Sequence, residues 1–142
     1  ARKKNPKIEI FNKAVGIENN ISTMYITKSS GYNFRGGSSI NPKMVKVDNL
    51  FCKRQIETIN FIDYLINLRK IHSYDFICVK MDIEGGEYDI IDKLYEYYEK
   101  YNATLVDDLI IEFHPRVLDS EEDQIKYERK LNIMGTRTLQ WI

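Results

Sequence analysis

The chain has 142 residues, and its 21 Lys and Arg balance its 21 Asp and Glu. Zero net charge excludes a protein drawn by bulk charge to nucleic acid or to an anionic membrane, and no apolar run approaches the ~20 residues of a membrane span. Two isolated cysteines, Cys52 and Cys78, form neither a disulfide framework nor a Cys-x-x-Cys metal pattern, and no secretory signal is visible, so a reducing, cytoplasmic setting is expected.

The length fits one domain over residues 1–142, burying about two-thirds of the surface of the unfolded chain. The basic start, "ARKKNPK", reads as a solvated end. "KIEIFNKAV" is rich in Ile, Phe and Val and predicts a strand ending near Asn12. "ISTMYITK" predicts a second strand. Residues 29–43 hold three of the seven glycines and predict a loop, in which "RGGSS" matches no phosphate-binding motif. "KMVKVDNLF" predicts a short strand. "ETINFIDYLINLRK" then places Ile59, Ile62, Leu65 and Ile66 on one helical face, with His72 in a polar loop beyond it. The Asn20 and Asn102 sequons read as chance matches.

"DFICVKMD" is a nearly continuous apolar run of strand length. It predicts a central parallel strand covered on both faces, with Cys78 as a buried thiol. "EYDIIDKLYEYYEKY" predicts a helix with Ile90, Ile91, Leu94, Tyr98 and Tyr101 on one stripe; Glu87 and Asp89 suit its positive N-terminal end. "DDLIIEFHP" is a strand stopped by Pro115. "SEEDQIKYERKLNIMG" predicts a helix opened by a Ser120–Asp123 capping pair and closed at Gly135. "TRTLQWI" alternates like a strand. Strands alternating with helices predict an α/β fold, a mostly parallel sheet with flanking helices.

Open parallel sheets bind ligands at the carboxyl ends of their strands. Asp82 and Glu84 stand at one such end, and Glu112 and His114 at the next. Glu112 and His114 are two residues apart, so they point to the same side of an extended chain. These four residues are the candidate catalytic cluster. Gly85 and Gly86 let the chain turn into its helix and let a ligand approach the backbone. Helix capping by Asp82, or a structural role for His114, is the plain alternative.

The segment "VKMDIEGGEYDIIDKL" resembles the signature of the FkbM-type methyltransferases, Lys-x-Asp-x-Glu-Gly-x-Glu before a helix, through Lys80, Asp82, Glu84, Gly85 and Glu87. "IEIFNKAVG" looks like that family's Asn-x-Ala-Val-Gly segment, through Asn12, Ala14, Val15 and Gly16. "GGSSI", "VKVDNL" and "LIIEFHPRVL" look like its later segments in order. The resemblance implies a Rossmann-like class I methyltransferase fold using S-adenosylmethionine. It implies methyl transfer to a hydroxyl of a sugar, a glycan or another small molecule. Asn12, Ala14 and Asp82 would then lie at the cofactor.

No Gly-x-Gly occurs in the chain, so the family's glycine-rich cofactor loop and the acid that would hold the ribose are missing. The expectation is a partial domain, truncated at both ends, with one flank of its sheet open. His114 is the candidate base, since histidine ordinarily titrates at about 6.5, with Asp82 or Glu112 orienting its ring or replacing it. Oxygen ligands of this kind also suit Mg²⁺. Two other readings are a noncatalytic remnant of such a domain and a metal-dependent hydrolase.

Overall fold

The computed structural model describes residues 8–28, 38–46, 49–72, 76–120 and 122–141. The basic N-terminal stretch and residues 29–37, with most of the glycine-rich loop, lie outside these residues. The described chain is α/β. Its order is β1 (Ala14–Gly16), β2 (Asn20–Thr27), β3 (Leu50–Asn60), α1 (Phe61–His72), β4 (Cys78–Met81), α2 (Glu87–Tyr101), β5 (Asp108–Ile111), α3 (Glu122–Ile133) and β6 (Arg137–Gln140).

The strands form two three-stranded sheets, where one mostly parallel sheet was expected. In the first, β3 pairs with β1 in parallel and with β2 antiparallel. In the second, β4, β5 and β6 are all parallel, with β5 in the middle. The first strand, expected to end near Asn12, instead spans only Ala14–Gly16, beginning two residues beyond that point. Of the "KMVKVDNLF" strand, Lys43 and Met44 fall in a one-turn 3-10 helix, Pro42–Met44, Val47 and Asp48 lie outside the described residues, and Leu50 and Phe51 open β3. β3 then runs through Glu57–Asn60, which the helical periodicity assigns to the next helix. Pairing decides this: Thr58 faces Ala14 on one side and Asn20 on the other. A residue used twice in a sheet cannot also start a helix. α1 therefore begins at Phe61, where the Asn60 side chain accepts from the N–H groups of Ile62 and Asp63 (3.0 and 3.2 Å). It runs through His72 rather than ending in a loop before it.

The core lies between the parallel sheet and its helices. Both crossovers step the same way across the sheet, and right-handed crossovers then place α2 and α3 on one face. Register puts Val79 beside Leu109 and Met81 beside Ile111 on that face. Leu109 and Ile111 are buried there with Ile90, Ile91, Leu94 and Leu131, each worth roughly 1.5–3 kcal/mol of apolar burial. α1 adds Ile62 and Leu65, and Arg69 donates to Asp107 at 2.6 Å. Asp107 in turn accepts the Ile77 N–H at 2.7 Å, fixing the entry to β4.

The opposite face carries Cys78, Lys80, Asp108, Ile110, Arg137 and Leu139 by register. Cys78 and Lys80 are exposed, and Leu139 is 59% exposed. The strand expected to be central and doubly covered is thus an edge strand covered on one face, and Cys78 is not buried. Both cysteines are free thiols. α2 matches its predicted span, although Tyr101 at its end is exposed. Gly135 has φ +74° just past α3, as its predicted capping role requires. Half of the Ser120–Asp123 capping pair forms as expected, the Ser120 N–H donating to the Asp123 carboxylate (3.1 Å), while the Ser120 hydroxyl also donates to it (3.0 Å) and the Asp123 N–H goes to the Ser120 carbonyl. No helix among the described residues is long and apolar enough to cross a membrane.

Candidate active site around His114

The carboxyl ends of β4 and β5 carry the site. Asp82 follows the last residue of β4, and Glu112 follows the last residue of β5. The Glu112 N–H donates to the Met81 carbonyl (3.0 Å), extending the ladder by one bond and holding the two ends together. Between β4 and α2 the chain turns within Asp82–Gly86. Glu84 has φ +52° and Gly85 has φ +94°. The first is a strained position for a residue with a side chain, at about 1–2 kcal/mol.

The turn is clamped from outside. Ser39 is buried and bonded through its backbone to Tyr25 of β2, and its hydroxyl donates to the Glu84 carbonyl at 2.5 Å. The Asn41 amide donates to the Gly85 carbonyl at 3.2 Å. The first sheet thus supports the turn that follows the second. Gly85 itself has no room for a side chain: a Cβ there would stand 2.7 Å from both Met44 Cγ and Val117 Cγ1. Gly85→Ala is therefore expected to cost about 2–4 kcal/mol from contact and dihedral strain together. Chemical denaturation measures this, and a loss under about 1 kcal/mol would show that the turn is looser than described.

Glu87 is the first residue of α2 and is 0% exposed. A buried carboxylate is tolerated only when it is fully hydrogen-bonded. Oε2 accepts the Gly85 N–H at 2.8 Å. Oε1 accepts the His114 N–H at 2.7 Å and meets His114 Nδ1 at 2.9 Å. Both oxygens already accept backbone N–H groups, so the ring supplies the proton at Nδ1. The helix N-terminus adds further compensation. Glu87 is thus more than a complement to the helix dipole: it fixes the ring of His114. The sequence assigned ring orientation to Asp82 or Glu112, and the structure gives that position to Glu87.

With Nδ1 held, Nε2 points at the remaining acids. It lies 3.4 Å from Glu84, 3.7 Å from Glu112 and 4.0 Å from Asp82. All four residues of the candidate cluster are therefore together. They differ in exposure: the His114 side chain is 6% exposed, Glu84 21%, Glu112 36% and Asp82 44%. The set thus runs from a buried histidine out to an open carboxylate. Asp82 does not cap α2, whose N-cap Gly86 has no side-chain partner.

An open cleft of about 480 Å³ adjoins the cluster, lined by Glu84, Glu112 and His114 and by Lys28, Lys46 and Arg116. Asn12 and Ala14 do not line it. Asn12 is exposed, and Ala14 opens β1. The residues after them, Val15 to Glu18, line a second cleft of about 440 Å³ with Ile40, Pro42, Gly86 and Asp89. The 82–86 turn contributes Glu84 to the first cleft and Gly86 to the second.

Tyr88, next to Glu87, is buried against Phe113 and Tyr127, and its hydroxyl has no hydrogen-bond partner among the described residues. Burial, then the charge of Glu87, push its pKa well above the usual phenol range. The chain matches no protein-family model, no curated protein and no solved structure.

Proposed function

We propose that the chain carries the acceptor side of an S-adenosylmethionine-dependent methyltransferase with a Rossmann-like fold, acting on a hydroxyl of a sugar or another small molecule. The observation that carries this reading is the Glu87–His114 pair. It aims Nε2 at three carboxylates at the carboxyl ends of two parallel strands, where such sheets keep their chemistry. The resemblance of the Lys80–Glu87 segment to the FkbM-type signature supplies the reaction type.

The acceptor hydroxyl meets the cluster at Nε2. Glu87 holds the ring so that the geometry at Nε2 does not drift, and positioning of this kind accounts for much of the catalysis in a displacement reaction. The hydroxyl proton leaves to a carboxylate of the cluster, of which Glu112 is the one lining the cleft without strained backbone. Lys28, Lys46 and Arg116 line the same cleft, which favours an acceptor carrying a carboxylate or phosphate near its hydroxyl.

For the cofactor, the fit of the described residues is partial. The second cleft has a size usual for small ligands, ~300–1,000 Å³, and an apolar wall from Val15, Ile17, Ile40 and Pro42. Val15 to Glu18 and Gly86 would hold the cofactor there, directly after the expected Asn12 and Ala14 in the chain. S-adenosylmethionine would supply an activated methyl group on a sulfonium.

The full-length protein, incubated with methyl-labelled S-adenosylmethionine and a small-molecule extract of its source cells, is expected to move label into the fraction retained by an anion exchanger. Label only in the neutral fraction would remove the charge preference. No transfer at all, from protein that is folded, would overturn the proposal.

A further inference from the structure

We infer that Asp82, Glu84 and His114 form a binding site for one divalent transition-metal ion, with Glu87 as its outer support and Glu112 beside it. The inference deepens the proposed function, because it states how the hydroxyl would be activated at Nε2, and it rests on that reading only for its role in catalysis.

Two independent observations converge. The first is the ligand set. Asp82, Glu84 and His114 present ligand atoms within 4.8 Å of one another, and Glu112 is a further 3.7 Å from Nε2. Ligands bonded at ~2.0–2.2 Å to one ion stand ~3–4 Å apart, so the cluster needs only small side-chain movement to close on a cation. The second is His114 itself. It is 5% exposed, and its Nδ1 proton is committed to Glu87. Nε2 therefore points toward the three carboxylates. A cation at that point would lie within reach of His114 and of the carboxylates of Asp82 and Glu84 together. The arrangement, a carboxylate holding one ring nitrogen so that the other can bind metal, is the usual outer support of metal-binding histidines.

The chemistry of the set selects the ion. Three carboxylates alone suit Mg²⁺ or Ca²⁺, but an imidazole nitrogen shifts preference toward Mn²⁺, Fe²⁺ or Zn²⁺. Mn²⁺ accepts both donor types. Asp82 and Glu112 are partly exposed and the site opens on the cleft, so positions remain for a substrate oxygen, as in catalytic metal sites. A hydroxyl bound there would become more acidic, and its proton would pass to Glu112, which lines the cleft outside that ligand set. Nε2 is then a ligand rather than the base. The strained backbone at Glu84 fits this role, because φ +52° holds its carboxylate toward Nε2 despite the cost.

The probe is Mn²⁺ added to metal-stripped full-length protein, followed by calorimetry and pulsed electron paramagnetic resonance. The expected result is one Mn²⁺ per chain, with modulation from one directly bound nitrogen, and at least tenfold weaker binding of Mg²⁺. His114→Ala removes the nitrogen signal, and Glu84→Gln weakens binding at least tenfold. Glu87→Gln weakens it about 10–100-fold while leaving the ligands in place. If His114→Ala does not fold, Glu84→Gly serves, since glycine accepts the positive φ and removes only the carboxylate. Absence of Mn²⁺ binding at millimolar concentration overturns the inference. So does binding that has no nitrogen signal and is unchanged in Glu84→Gln. Metal binding without methyl transfer would retain the site and reject the methyltransferase reading; methyl transfer by metal-free protein would retain that reading and remove the ion from the reaction.

Discussion

Replacing Glu87 with alanine is expected to destabilise the protein by about 3 kcal/mol, the combined cost of stranded hydrogen-bond donors and a cavity. Glu87 is fully buried and accepts from Gly85 N–H, His114 N–H and His114 Nδ1–H. Its removal leaves those donors inside the protein with no acceptor. It also frees the 82–86 turn from the start of the 3-10 turn Pro115–Val117, because this carboxylate is what joins them. Glu87→Gln keeps the volume and one acceptor oxygen, but its amide must turn a donor toward one of the two backbone N–H groups. A loss of about 1–2 kcal/mol is expected for it. Urea unfolding monitored by circular dichroism gives both values. An alanine variant within about 1 kcal/mol of the parent would mean that the buried carboxylate is not the joint described.

The second large effect is on activity. His114→Ala and Asp82→Asn are each expected to lower methyl transfer by the full-length protein at least tenfold, or about 1.4 kcal/mol of barrier. The reasons differ. In the proposed reaction the acceptor hydroxyl meets Nε2 of His114, a side chain that is buried and fixed by Glu87. Asp82 is the most exposed of the four, at 44%, so its loss costs little stability and its effect is a test of function. Turnover near that of the parent in both variants would remove the cluster from the reaction. A fall in His114→Ala alone would leave Asp82 as a solvated carboxylate at a strand end.

Much of the second half of the chain was legible before any coordinates. Continuous apolar runs marked β4 and β5, a 3.6-residue stripe marked α2, and glycine marked the end of α3. Strand ends that carry Asp82, Glu84, Glu112 and His114 pointed to one cleft, and the four do meet. The first half was less legible for a physical reason. β2 and β3 are mostly half-buried, with Ile21 at 70% and Phe51 at 56% exposure, so their apolar residues do not report one buried face. Glu57–Asn60 fit a helical stripe equally well, and only pairing with β1 and β2 decides the matter. Cys78 was misplaced because an apolar run does not reveal whether a strand is central or at an edge.

The joint between Glu87 and His114 was also missed, although a signal for it existed. Continuing the stripe of Ile90, Ile91 and Leu94 back by one turn lands on Glu87. An acid on the buried face of a helix requires partners, and the 27 residues separating it from His114 hid which one.

The most direct test of the account is a calorimetric titration of S-adenosylmethionine into the full-length protein. One saturable site per chain, weakened by substitutions in the Val15–Glu18 segment, is the result the account predicts. No binding by protein that is folded would contradict the methyltransferase reading and leave only the Glu87–His114 cluster to be explained, as a site of another kind.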